Sequence, residues 1–220
     1  MKSLPLSLMF FLLLFTTSDL LAKTPLHRTN FSATELRDLQ GHYSTIYGHF
    51  YIRVNGKQVS TRYDGKYIEL IKKSDGHFYP RYKFLWVFPI NIGNMSFSLK
   101  KINSGKIRIL MHEKRKIRTV AQKFYPKPIP SAWKHRLGSY QAKKIKGKSG
   151  IKKVRLALQQ GILVAFINQL KSPYPLLANS NTQLTSPSAG HNHDRTIKIS
   201  INKNVIVLEY ENNKLALKKL

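Results

Sequence analysis

The feature that most constrains this chain is a period of two. Over most of its length apolar and polar residues alternate in short runs, and turn residues close each run. Phe50, Ile52 and Val54 fall on one side of such a run, with Tyr51 and Arg53 on the other. Successive side chains of a strand point to opposite faces, whereas a helix brings residues back every 3.6 positions, so the pattern selects half-buried strands. Asn55-Gly56-Lys57 supplies a tight hairpin turn into Val59 to Tyr63. Asp64-Gly65 precedes Tyr67 to Ile71, and Ser74-Asp75-Gly76 follows it. Phe78 to Trp86, Met95 to Leu99, Ile107 to Met111 and Ile117 to Ala121 complete the set. About eight strands at this spacing predict an antiparallel barrel or sandwich. One short helix is expected before them, because Ser32 and Glu35 are spaced as a capping box with Leu36 and Leu39 facing the sheet.

Proline marks a division. Tyr125-Pro126-Lys127-Pro128-Ile129-Pro130 reads as a stiff, extended connector with few contacts crossing it. Beyond it the opening returns at an offset of 97 residues, with Leu36 falling on Trp133, Gly41 on Gly138 and Tyr43 on Tyr140. Two related modules follow from this, at 30–125 and 126–220. In the second, Val154 to Leu158 with Ile162 to Ile167 form one hairpin, and Ile197 to Ile201 with Val205 to Tyr210 another. The Pro-, Ser- and Asn-rich stretch 171–194 shows no periodicity and is expected to be a mobile insertion, which makes the second module the looser one.

Composition bears on compartment and partners. Lys2, an apolar run from Leu4 to Phe15 and the small residues after it are the parts of a secretory signal, with cleavage expected after Ala22. The run is shorter than the ~20 apolar residues that a membrane span needs. An exported protein, periplasmic or secreted, is the expectation. Cysteine is absent, which excludes disulfides, thiolate metal sites and cysteine nucleophiles. The chain carries 38 Lys and Arg against 10 Asp and Glu, a net charge of +28. The excess is dispersed, with 20 basic against 6 acidic residues from Lys23 to Tyr125 and 17 against 3 from Pro126 onward. Such a surface favours anionic partners. No recognition helix or RNA-binding signature accompanies it, so anionic envelope lipids or polymers are expected and nucleic acid is not. The densest cluster is Lys143, Lys144, Lys146, Lys148, Lys152 and Lys153, and Lys114-Arg115-Lys116 is a second basic run.

Leu39-Gln40-Gly41-His42-Tyr43-Ser44-Thr45, Asp64-Gly65-Lys66 to Arg81-Tyr82-Lys83, Val87-Phe88-Pro89-Ile90-Asn91-Ile92-Gly93 and Pro128 to Tyr140 together resemble the C-terminal accessory region of β-lactamase-family serine hydrolases. Those relatives of penicillin-binding proteins and esterases carry a lipocalin-like β-barrel after the catalytic domain. The resemblance implies an all-β chain, with an antiparallel lipocalin-like barrel followed by a related, looser β module. It also implies a non-catalytic role beside a separate serine-hydrolase domain, or a truncated or split part of such an enzyme. The family's catalytic domain does not precede the barrel here. Four Ser-x-x-Lys spacings occur, starting at Ser98, Ser131, Ser149 and Ser200. The chemistry needs the serine at a helix N-terminus with the lysine one turn on. Only Ser131 comes near that, and its helical turn ends by Gly138. No catalytic residue is therefore assigned.

A barrel of this size can fill its interior or hold one small ligand. Tyr43, Phe50, Phe78, Tyr82, Trp86 and Phe97 are the aromatics expected to line or plug it, around a small apolar ligand if there is one. His191, His193 and Asp194 form the candidate metal cluster, with a further ligand to come from His42, His49 or His77. A polar loop that happens to contain histidine explains the same residues. No cofactor is implied.

Overall fold

A computed structural model describes residues 26–220 apart from 47, 64–65, 85–87, 92–94, 104, 148–149, 169–172, 191–195, 204 and 212. Strands account for most of the described residues, and they form two closed antiparallel barrels of eight strands each. The first begins with helix α1 (Ala33–Leu39) and contains β1 (Gly41–Thr45), β2 (Gly48–Asn55), β3 (Gln58–Tyr63), β4 (Lys66–Lys72), β5 (Phe78–Phe84), β7 (Met95–Lys101), β8 (Ile107–Glu113) and β9 (Lys116–Phe124). Pairing of β4 with β5 closes the ring, and β6 (Phe88–Asn91) folds back on β5 alone, outside it. The second follows helix α2 (Ser131–Lys134) and runs in simple sequence order. It comprises β10 (Gly138–Lys146), β11 (Lys153–Gln159), β12 (Ile162–Ile167), β13 (Tyr174–Ser180), β14 (Gln183–Thr185), β15 (Ile197–Asn202), β16 (Val205–Tyr210) and β17 (Asn213–Lys219). Closure removes free strand edges, which would otherwise template aggregation.

The 97-residue repeat is a repeat in three dimensions. Each barrel starts with a short helix that plugs one end. The Tyr43 hydroxyl donates to the carbonyl of Leu39 at 3.0 Å, and the Tyr140 hydroxyl donates to that of Arg136 at 2.6 Å, the equivalent position. Gly41 and Gly138 adopt φ of 139° and 136°, a region that L side chains rarely enter. A lysine from the last strand of the same barrel lies over each glycine: Lys123 Cε would stand 2.7 Å from a Cβ at Gly41, and Lys219 Cε 3.3 Å from one at Gly138. In the first barrel the buried Lys123 ammonium donates to the carbonyls of Arg37 and Asp38 at the end of α1, at 3.3 and 2.8 Å. The Ser32–Glu35 capping box is present, and Lys72 and Lys101 tie Glu35 and Asp38 of the helix to β4 and β7.

One expectation is corrected. The stretch 171–194 supplies β13 and β14, which pair with β12, with each other and with β15. Its strands were hidden by proline and polar residues, but Tyr174, Leu176 and Leu184 still enter the second core. That core is the fuller one among the described residues. Sixteen buried side chains from Trp133 to Leu217 fill the second barrel, against eight in the first.

The connector is exposed from Tyr125 to Pro128, yet contacts do cross between the barrels, contrary to the expectation of few. Phe124 of β9 is buried against Ile162 and Val164 of β12, with Ala157, Phe166 and Leu177 around them. The Ser44 hydroxyl donates to the Pro187 carbonyl at 3.2 Å. This is why β12 is buried on both faces: Leu163, Ala165 and Ile167 point into their own barrel, while Ile162 and Val164 point at the other.

Candidate functional site

The alternation that builds the first barrel also decides what faces its interior. Phe50 and Ile52 of β2, Ile68 and Leu70 of β4, Phe78 and Pro80 of β5, Phe97 of β7 and Ile109 and Met111 of β8 line a cavity of about 410 Å³. Helix α1 closes one end, where Leu39 and Tyr43 are buried and Phe31 and Leu36 pack beside them. The cavity extends to the opposite end of the barrel, where Thr45, Ile46, Val120 and Arg118 line it. Its polar content is small. The Thr61 hydroxyl is engaged as a donor to the Tyr51 carbonyl at 2.9 Å. Arg118 is the one charged residue among the described lining residues, and its Nη2 donates to Glu113 Oε2 at 2.6 Å. The result is a largely apolar cavity with one charged group at its end.

Of the aromatics singled out in the sequence, Phe50, Phe78 and Phe97 line the cavity. Phe78 and Phe97 stack at 5.9 Å between centroids. Tyr43 lies beneath, fully buried and stacked on Phe50 at 5.4 Å, where it holds the plug. Tyr82 is partly buried on β5 with the Lys66 ammonium 5.7 Å from its ring centre, and it is not a lining residue. Trp86 lies outside the described residues. Arg118, Thr45 and Thr61 carried no signal in the sequence. A single arginine in a strand of a strongly basic chain does not stand out until the barrel closes around it.

Lys143, Lys144 and Lys146 on β10 and Lys152 and Lys153 ahead of and on β11 are all exposed, and Lys148 lies outside the described residues. They gather at the end of the second barrel away from its plug, and Lys214 pairs across from Lys146. The candidate metal cluster His191, His193 and Asp194 lies outside the described residues. Among the described residues no group of three or more His, Asp or Glu is arranged to hold a metal ion. The histidines expected to complete that cluster have other partners. His42 Nδ1 and His49 Nε2 are 3.0 Å apart on the barrel wall, packed against Phe124, and burial pushes His49 down to about 3. His77 stacks on His112 at 4.3 Å.

Among the described residues, neither the Ser131–Lys134 spacing nor the Ser96–His77–Asp75 grouping has the geometry of a serine nucleophile with its base. Ser131 and Lys134 are both exposed on the single turn of α2, so nothing desolvates the amine. Ser96, His77 and Asp75 do come together, a grouping that the sequence did not reveal. However, His77 Nδ1 lies 3.1 Å from Ser96 Oγ and 3.8 Å from Asp75 Oδ2. A serine–histidine–aspartate relay needs the two partners on opposite ring nitrogens, and here they compete for one.

The fold and the cavity together define a class: an all-β protein of two related antiparallel barrels, the first lining an apolar cavity and the second gathering the larger set of buried side chains among the described residues. Comparison of the chain with protein-family models, curated proteins and solved structures finds no match to any of them.

Proposed function

We propose that this is an exported, non-catalytic binding protein that takes a small apolar molecule into its first barrel, with the second barrel as a filled support. The observation that carries the reading is the apolar cavity of about 410 Å³ in the first barrel, whose core gathers eight buried side chains where that of the second gathers sixteen. A packed interior gains stability from every contact, so a lined apolar cavity forgoes stability. An apolar ligand recovers it, at about 0.8 kcal/mol for each methylene buried. Kinship with the lipocalin-like accessory barrels of β-lactamase-family hydrolases, and export by the leader 1–22, belong to the same proposal. The test is saturable binding of a neutral apolar fluorophore, phenylnaphthylamine, to the purified protein. Val120→Trp, which places an indole at the open end of the cavity, should weaken the binding severalfold while the circular dichroism spectrum stays that of the parent. Binding that this substitution leaves unchanged, or no binding at all, overturns the reading.

A second reading is favoured by the collection of exposed lysines at one end of the second barrel. Each lysine or arginine near an anionic membrane contributes on the order of 1 kcal/mol, so a cluster of this size is enough for attachment to anionic envelope lipid or polymer. Replacing Lys143, Lys144, Lys146, Lys148, Lys152 and Lys153 with Gln should release the protein from phosphatidylglycerol vesicles at low salt far more than replacing six dispersed lysines. Equal release would mean that net charge alone acts.

A further inference from the structure

We propose that the ligand of the first barrel is a single-chain amphiphile whose oxyanion head is held by Arg118 at the mouth of the cavity, where it takes over the guanidinium from Glu113. This rests on the apolar-ligand reading above and adds the direction and the head group. Three observations converge on it. First, Arg118 is the one charged residue among the described lining residues, and it stands at the end of the cavity that α1 does not plug. Everything deeper is apolar or, like the Thr61 hydroxyl, already engaged. A ligand therefore enters tail first and leaves its polar end beside the arginine.

Second, the present partner of Arg118 is replaceable. Side-chain exposures of 58% for Arg118 and 44% for Glu113 put their ion pair in water, where such pairs contribute little. A guanidinium offers five N–H donors in a planar fork that suits an oxyanion, and the contact to Glu113 occupies one side of it. Third, the turn that brings β8 into β9 at this same end carries Lys114, Arg115 and Lys116, all exposed. Three further cations beside the mouth attract an anion and repel a cationic head. The basic run Lys114-Arg115-Lys116, which the sequence offered for anionic envelope material, thereby lies at the mouth of the cavity.

The test is displacement of phenylnaphthylamine from the full-length protein by four ligands with the same twelve-carbon tail: tridecanoate, dodecyl phosphate, dodecanol and dodecyltrimethylammonium. At least one of the two anions should bind about tenfold or more tighter than the alcohol, as a charge-assisted contact to a guanidinium implies, and the cation weaker than the alcohol. Which anion leads identifies the head as carboxylate or phosphate. Arg118→Gln should erase the advantage of the anion while changing the alcohol less than about twofold, and Glu113→Gln should strengthen the anion by freeing the arginine. Equal binding of anion and alcohol, or an anion advantage that survives Arg118→Gln, overturns the head-group assignment and leaves the apolar cavity standing. Failure of both the fluorophore and the alcohol to bind overturns the cavity reading, and the head-group assignment with it.

Discussion

At the scale of single residues, the most consequential side chains are titratable ones that the fold buries. His49 is 7% exposed and packed on Phe124, with His42 as its hydrogen-bond partner, and burial pushes its pKa down to about 3 from 6.5. Burial lowers that of His42 too. The unfolded chain takes up a proton at His49 as the pH falls through 6.5, while the folded chain resists until about 3. Stability therefore drops with falling pH across that window, by about 2 kcal/mol between pH 8 and pH 5 for one such group. Urea denaturation at the two pH values should show this loss in the parent and a smaller one in His49→Phe. Equal losses would mean that other groups dominate the acid limb. Lys123 is the second case. Burial pushes its pKa down against the pull of Asp38, and its ammonium is committed to the carbonyls that end α1. Lys123→Met keeps the stem over Gly41 and removes the donors, and should cost about 1–3 kcal/mol by leaving those carbonyls without this partner.

At the scale of elements, the plug-and-first-strand unit recurs in both barrels, and its glycine is the point of least tolerance. Gly41 combines a φ of 139° with a neighbouring lysine stem 2.7 Å from any added Cβ. Gly41→Ala should therefore destabilise by about 2 kcal/mol or more, through strain and displacement of Lys123. Gly56, with a φ of 56° and open space around it, should lose less on the same change. Comparing the two melting temperatures separates the cost of crowding from that of conformation. The element most altered by its surroundings is β12. Its six consecutive apolar residues, Ile162 to Ile167, depart from the alternation of the other strands because the first barrel covers its outer face. An unbroken apolar run of that length is a legible sign of burial on both faces, whereas Gln183 to Thr185 has only three residues and became strand β14 through pairing with β13 and β15.

At the scale of the whole molecule, the two barrels are joined by an exposed connector and an apolar seam. Val164→Asp would place a carboxylate against Phe124 in that seam, where an unpaired charge is costly. The expected outcome is a larger radius of gyration in solution scattering, with both barrels keeping their strand content. An unchanged radius would show that the seam does not hold the barrels together. The division of labour also belongs to this scale. The core of the second barrel gathers Trp133, Tyr140, Tyr174 and Leu208 among its sixteen buried side chains. In the first a space is left between Phe50, Phe78 and Phe97 and the smaller Thr45, Thr61, Pro80 and Val120, and that space is the candidate site.

Local rules in the sequence were enough for the all-β class, the hairpin turns, the capped helix, the exposed connector and the repeated start of each barrel. Each depends on residues within a few positions of one another, where alternation, turn chemistry and φ restrictions act. The cavity, the placing of Arg118 at its mouth, the His42–His49 pair against Phe124 and the seam on β12 are of another kind. They depend on side-chain volumes and charges contributed by strands far apart in the chain, and only the closing of each ring brings those residues together. Phe50, Phe78 and Phe97 could be named in advance because large aromatics in alternating strands face inward; that they surround a space was decided by tertiary packing.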